Sequence, residues 1–296
     1  MRVLLALLVL AFAPPAFADA TRDRLVVSTD WLAKHLGDAD LVILQVGDKA
    51  AYDAGHIPGA RLVNLADISA PPVGPDPLFL EMPEPEALRA RLMALGVGDR
   101  SKIVVYPSRD IQSATRVVFT LDAAGLGGRT TLLDGGLGVW KAEGRATSTE
   151  APAVTPGKLA AFRFKPLVVD AAFVKAHAAT PGYVVVDARA PEFYSGAKSG
   201  GSAAKPHKAG HIAGAKSVPF AAVTTADLKL APADEIAAKF KAAGVKRGDT
   251  VVAYCHVGQQ ASATLFAART LGLNVLLYDG SFEDWSRRDG AVETTK

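Results

Sequence analysis

The sequence predicts an α/β protein built from two copies of one fold, each a parallel sheet flanked by helices. Two observations predict it. The first is internal repetition: Ala54-Gly55-His56-Ile57-Pro58-Gly59-Ala60 recurs as Ala209-Gly210-His211-Ile212-Ala213-Gly214-Ala215, and Lys102-Ile103-Val104-Val105-Tyr106 recurs as Thr250-Val251-Val252-Ala253-Tyr254. Leu133-Asp134-Gly135-Gly136 with Trp140 likewise returns as Tyr278-Asp279-Gly280-Ser281 with Trp285. Blocks that repeat in the same order mean two copies of one unit. The second is that short β-rich runs alternate with helical patterns in each copy, which implies a parallel sheet covered by helices on both faces.

From the N-terminus, the chain opens with Arg2, an apolar stretch from Val3 to Ala13, a Pro14-Pro15 break and Ala16-Phe17-Ala18. This reads as a secretory signal peptide cleaved after Ala18, which implies export, to the periplasm in a bacterium. The stretch is too short for a mature membrane span, and nothing later is continuously apolar for the roughly 20 residues a span needs. In the first copy, strands are expected at Leu41–Val46, Ile103–Tyr106 and Thr131–Leu133, with helices at Glu84–Leu95 and Ala114–Ala124. In the second, strands are expected at Tyr183–Val186, Thr250–Tyr254 and Val275–Tyr278, with helices at Asp234–Ala243 and Ala261–Leu271. The stretch from Arg145 to Pro166, with Pro152, Pro156, Gly157 and Pro166, has linker composition. The expected organisation is therefore a signal peptide at 1–18, domains at 19–145 and 167–296, and a linker at 146–166.

The 296 residues are 49% hydrophobic, ample for two packed cores, and carry a formal charge of only +3. No nucleic-acid partner is expected. Cys255 is the only cysteine, so an exported chain has no internal disulfide to form, and the thiol must be either sheltered or chemically employed. Its place favours chemistry, since an apolar run ends at Cys255 and a Gly-bearing loop and a helix follow. A thiol there faces helix N–H groups that nothing inside the helix satisfies, and these favour an anionic sulfur. Ligands also collect at the carboxyl ends of strands in such sheets. A lone cysteine without this setting reads as a small buried hydrophobe.

These residues resemble the tandem-domain rhodanese-like sulfurtransferases, which include thiosulfate and 3-mercaptopyruvate sulfurtransferases. The resemblance spans essentially the whole mature chain. It rests on the paired Gly-His-Ile-x-Gly-Ala blocks, on Val184-Val185-Val186-Asp187-Ala188-Arg189, on the Cys-x-x-Gly-x-x-Ala loop from Cys255 to Ala261, and on Tyr278-Asp279-Gly280-Ser281 followed by Trp285. It implies that Cys255 takes a sulfane sulfur from a small anionic donor, holds it as a persulfide cradled by amides of the loop His256, Val257, Gly258, Gln259 and Gln260, and passes it to a thiophilic acceptor such as cyanide or a thiol. No cofactor is implied. Arg189 matches the Asp-x-Arg motif as an anion anchor, with Asp187 and Ala261 in support; pairing of Arg189 with Asp187 is the structural alternative. Alignment of Tyr106 with Tyr254 places Pro107 opposite Cys255, so the first domain forms no persulfide. It either closes one side of the cleft or simply enlarges the interface.

The loop departs from the family in one respect. Thiosulfate-preferring members resemble Cys-Arg-Lys-Gly-Val-Thr, and mercaptopyruvate-preferring ones resemble Cys-Gly-Ser-Gly-Val-Thr, whereas here His256 and Val257 follow the cysteine. One titratable imidazole in place of two fixed cations predicts weaker, pH-dependent donor binding. A second family arginine is replaced by Phe193. His56 and His211 suit a structural role in their turns. His207 and His211 have the spacing of a metal pair, but Pro206 and Gly210 argue against a helix and no third ligand accompanies them, so no metal is expected. Residues Ser195 to Lys208 read as a flexible insertion beside the site. Two other functions compete. A cysteine phosphatase of related fold needs an arginine where Ala261 stands, and an exported persulfide carrier would hold sulfur with little turnover.

Overall fold

Val251 and Ala253 belong to one apolar cluster while Val252 and Tyr254 belong to another, the period-two alternation of a strand buried on both faces. Such strands build both halves of the chain. The computed structural model describes residues 16–160, 162–202 and 205–295. The expected signal segment lies outside the described residues except for positions 16–18.

The first parallel sheet contains β1 (Val26–Val27), β2 (Leu41–Val46), β3 (Ala60–Val63), β4 (Lys102–Pro107) and β5 (Thr130–Leu133) in the order β1-β5-β4-β2-β3. The second contains β6 (Val168–Val169), β7 (Tyr183–Asp187), β9 (Lys216–Ser217), β10 (Thr250–Tyr254) and β11 (Asn274–Tyr278) in the equivalent order β6-β11-β10-β7-β9. A short antiparallel pair joins β8 (His211–Ile212) to β12 (Val292–Glu293). The α-helices are α1 (Ala16–Leu25), α2 (Thr29–His35), α3 (Lys49–Asp53), α4 (Pro85–Ala94), α5 (Ile111–Ala123), α6 (Gly136–Ala142), α7 (Ala171–His177), α8 (Pro191–Ser195), α9 (Ala233–Ala242), α10 (Gln259–Thr270) and α11 (Ser281–Ser286). The α/β repeat read from the sequence is therefore present twice.

Several boundaries have local causes. Asp110 caps α5, its carboxylate accepting from Ser113 N at 2.8 Å, which starts the helix a turn before the expected Ala114. At α10 the cap is Gly258 at φ +81°, a left-handed conformation open to glycine, so Gln259 and Gln260 belong to the helix rather than to a loop. Residues 145–166 hold no helix or strand among those described. They run along the first domain, with Gly157 N donating to Met93 O and Lys165 N to Ala123 O.

The two halves share a core. Helices α5 and α10 pack together, and Val117 and Leu121 lie in the same buried apolar cluster as Leu265 and Phe266. Truncating such a residue to alanine costs about 2–5 kcal/mol. The N-terminal helix also binds the second half, since Arg22 Nη1 donates to Ala231 O at 2.9 Å.

Candidate active site

Cys255 lies at the carboxyl end of β10, between that strand and the N-terminus of α10, and is 1% exposed. Gly258, the residue before α10, provides no side-chain cap, so the first N–H groups of the helix are left for another acceptor. Burial pushes the Cys255 thiol up, and backbone hydrogen bonds from Ala261, Val257, Gln260 and Gly258 oppose it. The resting group is thus a thiol in a cradle built for an anion. The loop is fixed from below as well: Cys255 N donates to Ser281 Oγ at 3.2 Å, Ser281 Oγ donates to Tyr278 O at 2.9 Å, and Phe282 N donates to Cys255 O at 3.0 Å. Ser281 holds φ +53°, a region where a side chain costs about 1–2 kcal/mol. The bonds of its hydroxyl to Cys255 N and Tyr278 O accompany that conformation.

Asp187 and Arg189 form a buried pair beside this loop, 0% and 1% exposed. Arg189 Nε donates to Asp187 Oδ1 at 3.0 Å, Nη2 to Asp187 Oδ2 at 2.6 Å, and Nη2 also to Gly210 O at 2.7 Å. The guanidinium lies 3.9 Å from the centroid of Phe282, and Tyr254 Oη donates to Asp187 Oδ2 at 2.7 Å. Arg189 is thus paired with Asp187, its Nε and Nη2 committed to Asp187 and Gly210.

A cleft of about 600 Å³ opens over the loop. Phe193, His207, His256 and Val257 line it together with Phe79 of the first domain. Its rim is joined across the domains by Asp76, which pairs with Lys205 at 2.5 Å and with Arg287 at 3.3 Å. Ser199, Gly200, Gly201, Ser202, Lys205 and His207 of the insertion therefore form a wall of the cleft. One expectation is corrected here. Burial, then Arg189 and His207, lower the His256 pKa to about 4, so the ring adjoining the thiol is a neutral imidazole at physiological pH. The Gln259 side chain faces the first domain, its Nε2 donating to Ser113 Oγ at 2.7 Å.

The remaining histidines hold structure. His56 stacks on Tyr52 at 3.8 Å with Nδ1 facing Tyr52 O, and His211 stacks on Tyr194 at 3.7 Å with Nδ1 facing Tyr194 O. Two residues escaped the sequence reading. Ser281 stood inside a repeated motif without a role, and Arg116 had no signal, since its partner Asp279 is remote in the chain.

The rhodanese-like domain family matches residues 28–143 and again 170–288. The chain belongs to the rhodanese-like family. Among its relatives, the 3-mercaptopyruvate sulfurtransferase of Escherichia coli is 30% identical, over 91% of this chain and 98% of its own. The sulfur carrier protein TtuD of Thermus thermophilus is 29% identical, over 90% of this chain and 95% of its own. The crystal structure of the 3-mercaptopyruvate enzyme SseA from Escherichia coli superposes with a TM-score of 0.75 at 28% identity, covering 86% of this chain and 98% of that one. Both rhodanese-like domains are thus present in tandem, the second with the cysteine and the first with Pro107 at the matching end of β4.

Proposed function

We propose that this chain is a sulfurtransferase that moves a sulfane sulfur from a small anionic donor, of the thiosulfate or 3-mercaptopyruvate type, through a Cys255 persulfide to a thiophilic acceptor. The observation that carries the reading is the convergence of the Val257, Gly258, Gln260 and Ala261 N–H groups on Cys255 Sγ, next in the chain to the cleft-lining His256 and Val257. With thiosulfate, the Cys255 thiolate attacks the sulfane sulfur, a new S–S bond forms, and sulfite leaves with the electron pair of the broken one. The outer sulfur of the persulfide carries the negative charge, which the loop N–H groups stabilise. Cyanide or a thiolate then attacks that outer sulfur and the Cys255 thiolate departs. His256 and Val257 border the donor without adding charge, and the first domain supplies a cleft wall and no nucleophile.

Cys255→Ser tests the reading. Intact-mass measurement after donor treatment should show one added sulfur on wild type and none on the variant; sulfur on the variant would overturn the assignment. Repeated turnover with cyanide separates an enzyme from a carrier. We also propose that residues 1–18 direct export to the periplasm, supported by their charge and apolar pattern. N-terminal sequencing of the exported chain should begin at Asp19.

A further inference from the structure

The first domain also sends a buried charged side chain against the nucleophile's loop. Arg116 lies in the middle of α5 and is 0% exposed. Its Nη1 donates to Asp279 Oδ1 at 2.5 Å and lies 3.5 Å from Gly258 O, and its Nη2 donates to Leu80 O. Asp279 is held on its other oxygen by Met82 N at 2.6 Å. Gly258 rests directly on this pair: a Cβ there would lie 2.8 Å from Arg116 Nη1 and 2.9 Å from Asp279 Oδ1. Gly258 is also the turn from which α10 starts, and its N–H is among those aimed at Cys255 Sγ.

A buried ion pair offsets its desolvation poorly, and apolar residues often replace one without loss of stability. Stability therefore gives weak reason for a guanidinium here, whereas orientation gives a strong one. The planar fork reaches Asp279, Leu80 O and the Gly258 carbonyl at once, a geometry that an ammonium does not reproduce. Neighbouring contacts serve the same end: Gln259 Nε2 donates to Ser113 Oγ, and the Thr115 and Ser262 hydroxyls lie 3.0 Å apart. Glu81, beside the pair, is raised to about 7 by burial and by Asp279 against the pull of Arg116.

We propose that Arg116 is a positioning residue for the nucleophile: from the first domain it clamps Gly258 against Asp279, so that the loop N–H groups stay aimed at Cys255 Sγ. The role of the first domain then extends beyond walling the cleft.

Arg116→Lys and the charge-neutral pair Arg116→Gln with Asp279→Asn test this in the full chain, with thermal melts to establish folding. Thiosulfate:cyanide kcat should fall on the order of 10- to 100-fold with KM little changed, as expected when reacting groups are misaligned. The thiol pKa, read from the pH dependence of iodoacetamide alkylation, should rise by about one unit as the cradle loosens. The kinetic arm rests on the sulfurtransferase reading; the alkylation arm needs no sulfur donor and stands apart from it. Either folded variant with wild-type thiol pKa and kcat would overturn the proposal, as would a kcat loss that only tracks the folded fraction.

Discussion

At the carboxyl end of the first sheet, Tyr106 Oη donates to Gln45 Oε1 at 2.6 Å and accepts from Ile57 N at 3.0 Å. In the second, Tyr254 Oη donates to Asp187 Oδ2 at 2.7 Å and accepts from Ile212 N at 3.0 Å. Strand register confirms the equivalence, pairing Gln45 with Tyr106 and Asp187 with Tyr254. Beyond this shared scaffold the two ends diverge in matched steps. Gly47 stands where the second domain has Arg189, and a Cβ on it would lie 2.0 Å from Ser108 Oγ. Pro107 stands for Cys255, and Gly136 at φ +54° for Ser281 at φ +53°. The carboxylate and the guanidinium are absent together, and so are the nucleophile and the hydroxyl that holds its N–H. Proline has no N–H to hold, so the first domain has no use for a strained serine. Interacting groups are replaced in pairs because a lone buried partner is costly.

Transplanting the first domain's residues into the second tests this coupling most severely. Arg189→Gly alone should cost about 3–5 kcal/mol of stability in urea unfolding, because it strands the Asp187 carboxylate in the interior. The double variant Asp187→Gln with Arg189→Gly should recover much of that loss, since Tyr254 then meets an amide as Tyr106 does. A double variant no more stable than the single would break the comparison.

Ser281→Gly carries a smaller effect. The loop N–H of Cys255 loses its acceptor, so kcat should fall about tenfold, the rate equivalent of one hydrogen bond. Stability should move by less than about 1 kcal/mol, because relief of the left-handed strain offsets the lost bond. An unchanged kcat in steady-state assays would show that Phe282 N and the helix end suffice to place the thiol.

The least perturbing change is His256→Gln. A base whose pKa is lowered to about 4 is neutral at every pH above that value, so no cationic form is lost between pH 5 and 9. Over that window donor kcat/KM should rise with ionisation of the Cys255 thiol, which burial places above its ordinary value. The variant's profile should have the same shape and lie within about twofold of wild type. A descending alkaline limb present only in wild type would restore the imidazolium expected from sequence.

Much of this arrangement was legible in the chain. The apolar run Val251–Tyr254 ending at a thiol and a glycine located β10 and the loop, because a buried parallel strand leaves an unbroken hydrophobic signature. The Asp187-x-Arg189 spacing put both side chains on one face, which is why their pairing was a stated alternative. Short strands such as β9 (Lys216–Ser217) carry no pattern of their own and exist through register with β7. The neutral state of His256 depends on burial and on Arg189 and His207 nearby, which spacing does not reveal. Arg116 was invisible for a related reason: one arginine in a helical pattern reads as solvent-facing until a second domain closes over it.

The packing of α5 against α10 also imposes an order in time. A protein leaves the ribosome N-terminus first, and domains generally fold as units in that sequence. Helix α5, with Arg116 and its sheet, is therefore available before the residues of β10 and α10 have been translated. The nucleophile's loop follows it, and β11, α11 and β12 come later still, so the domain without chemistry precedes in the chain every element that builds the loop.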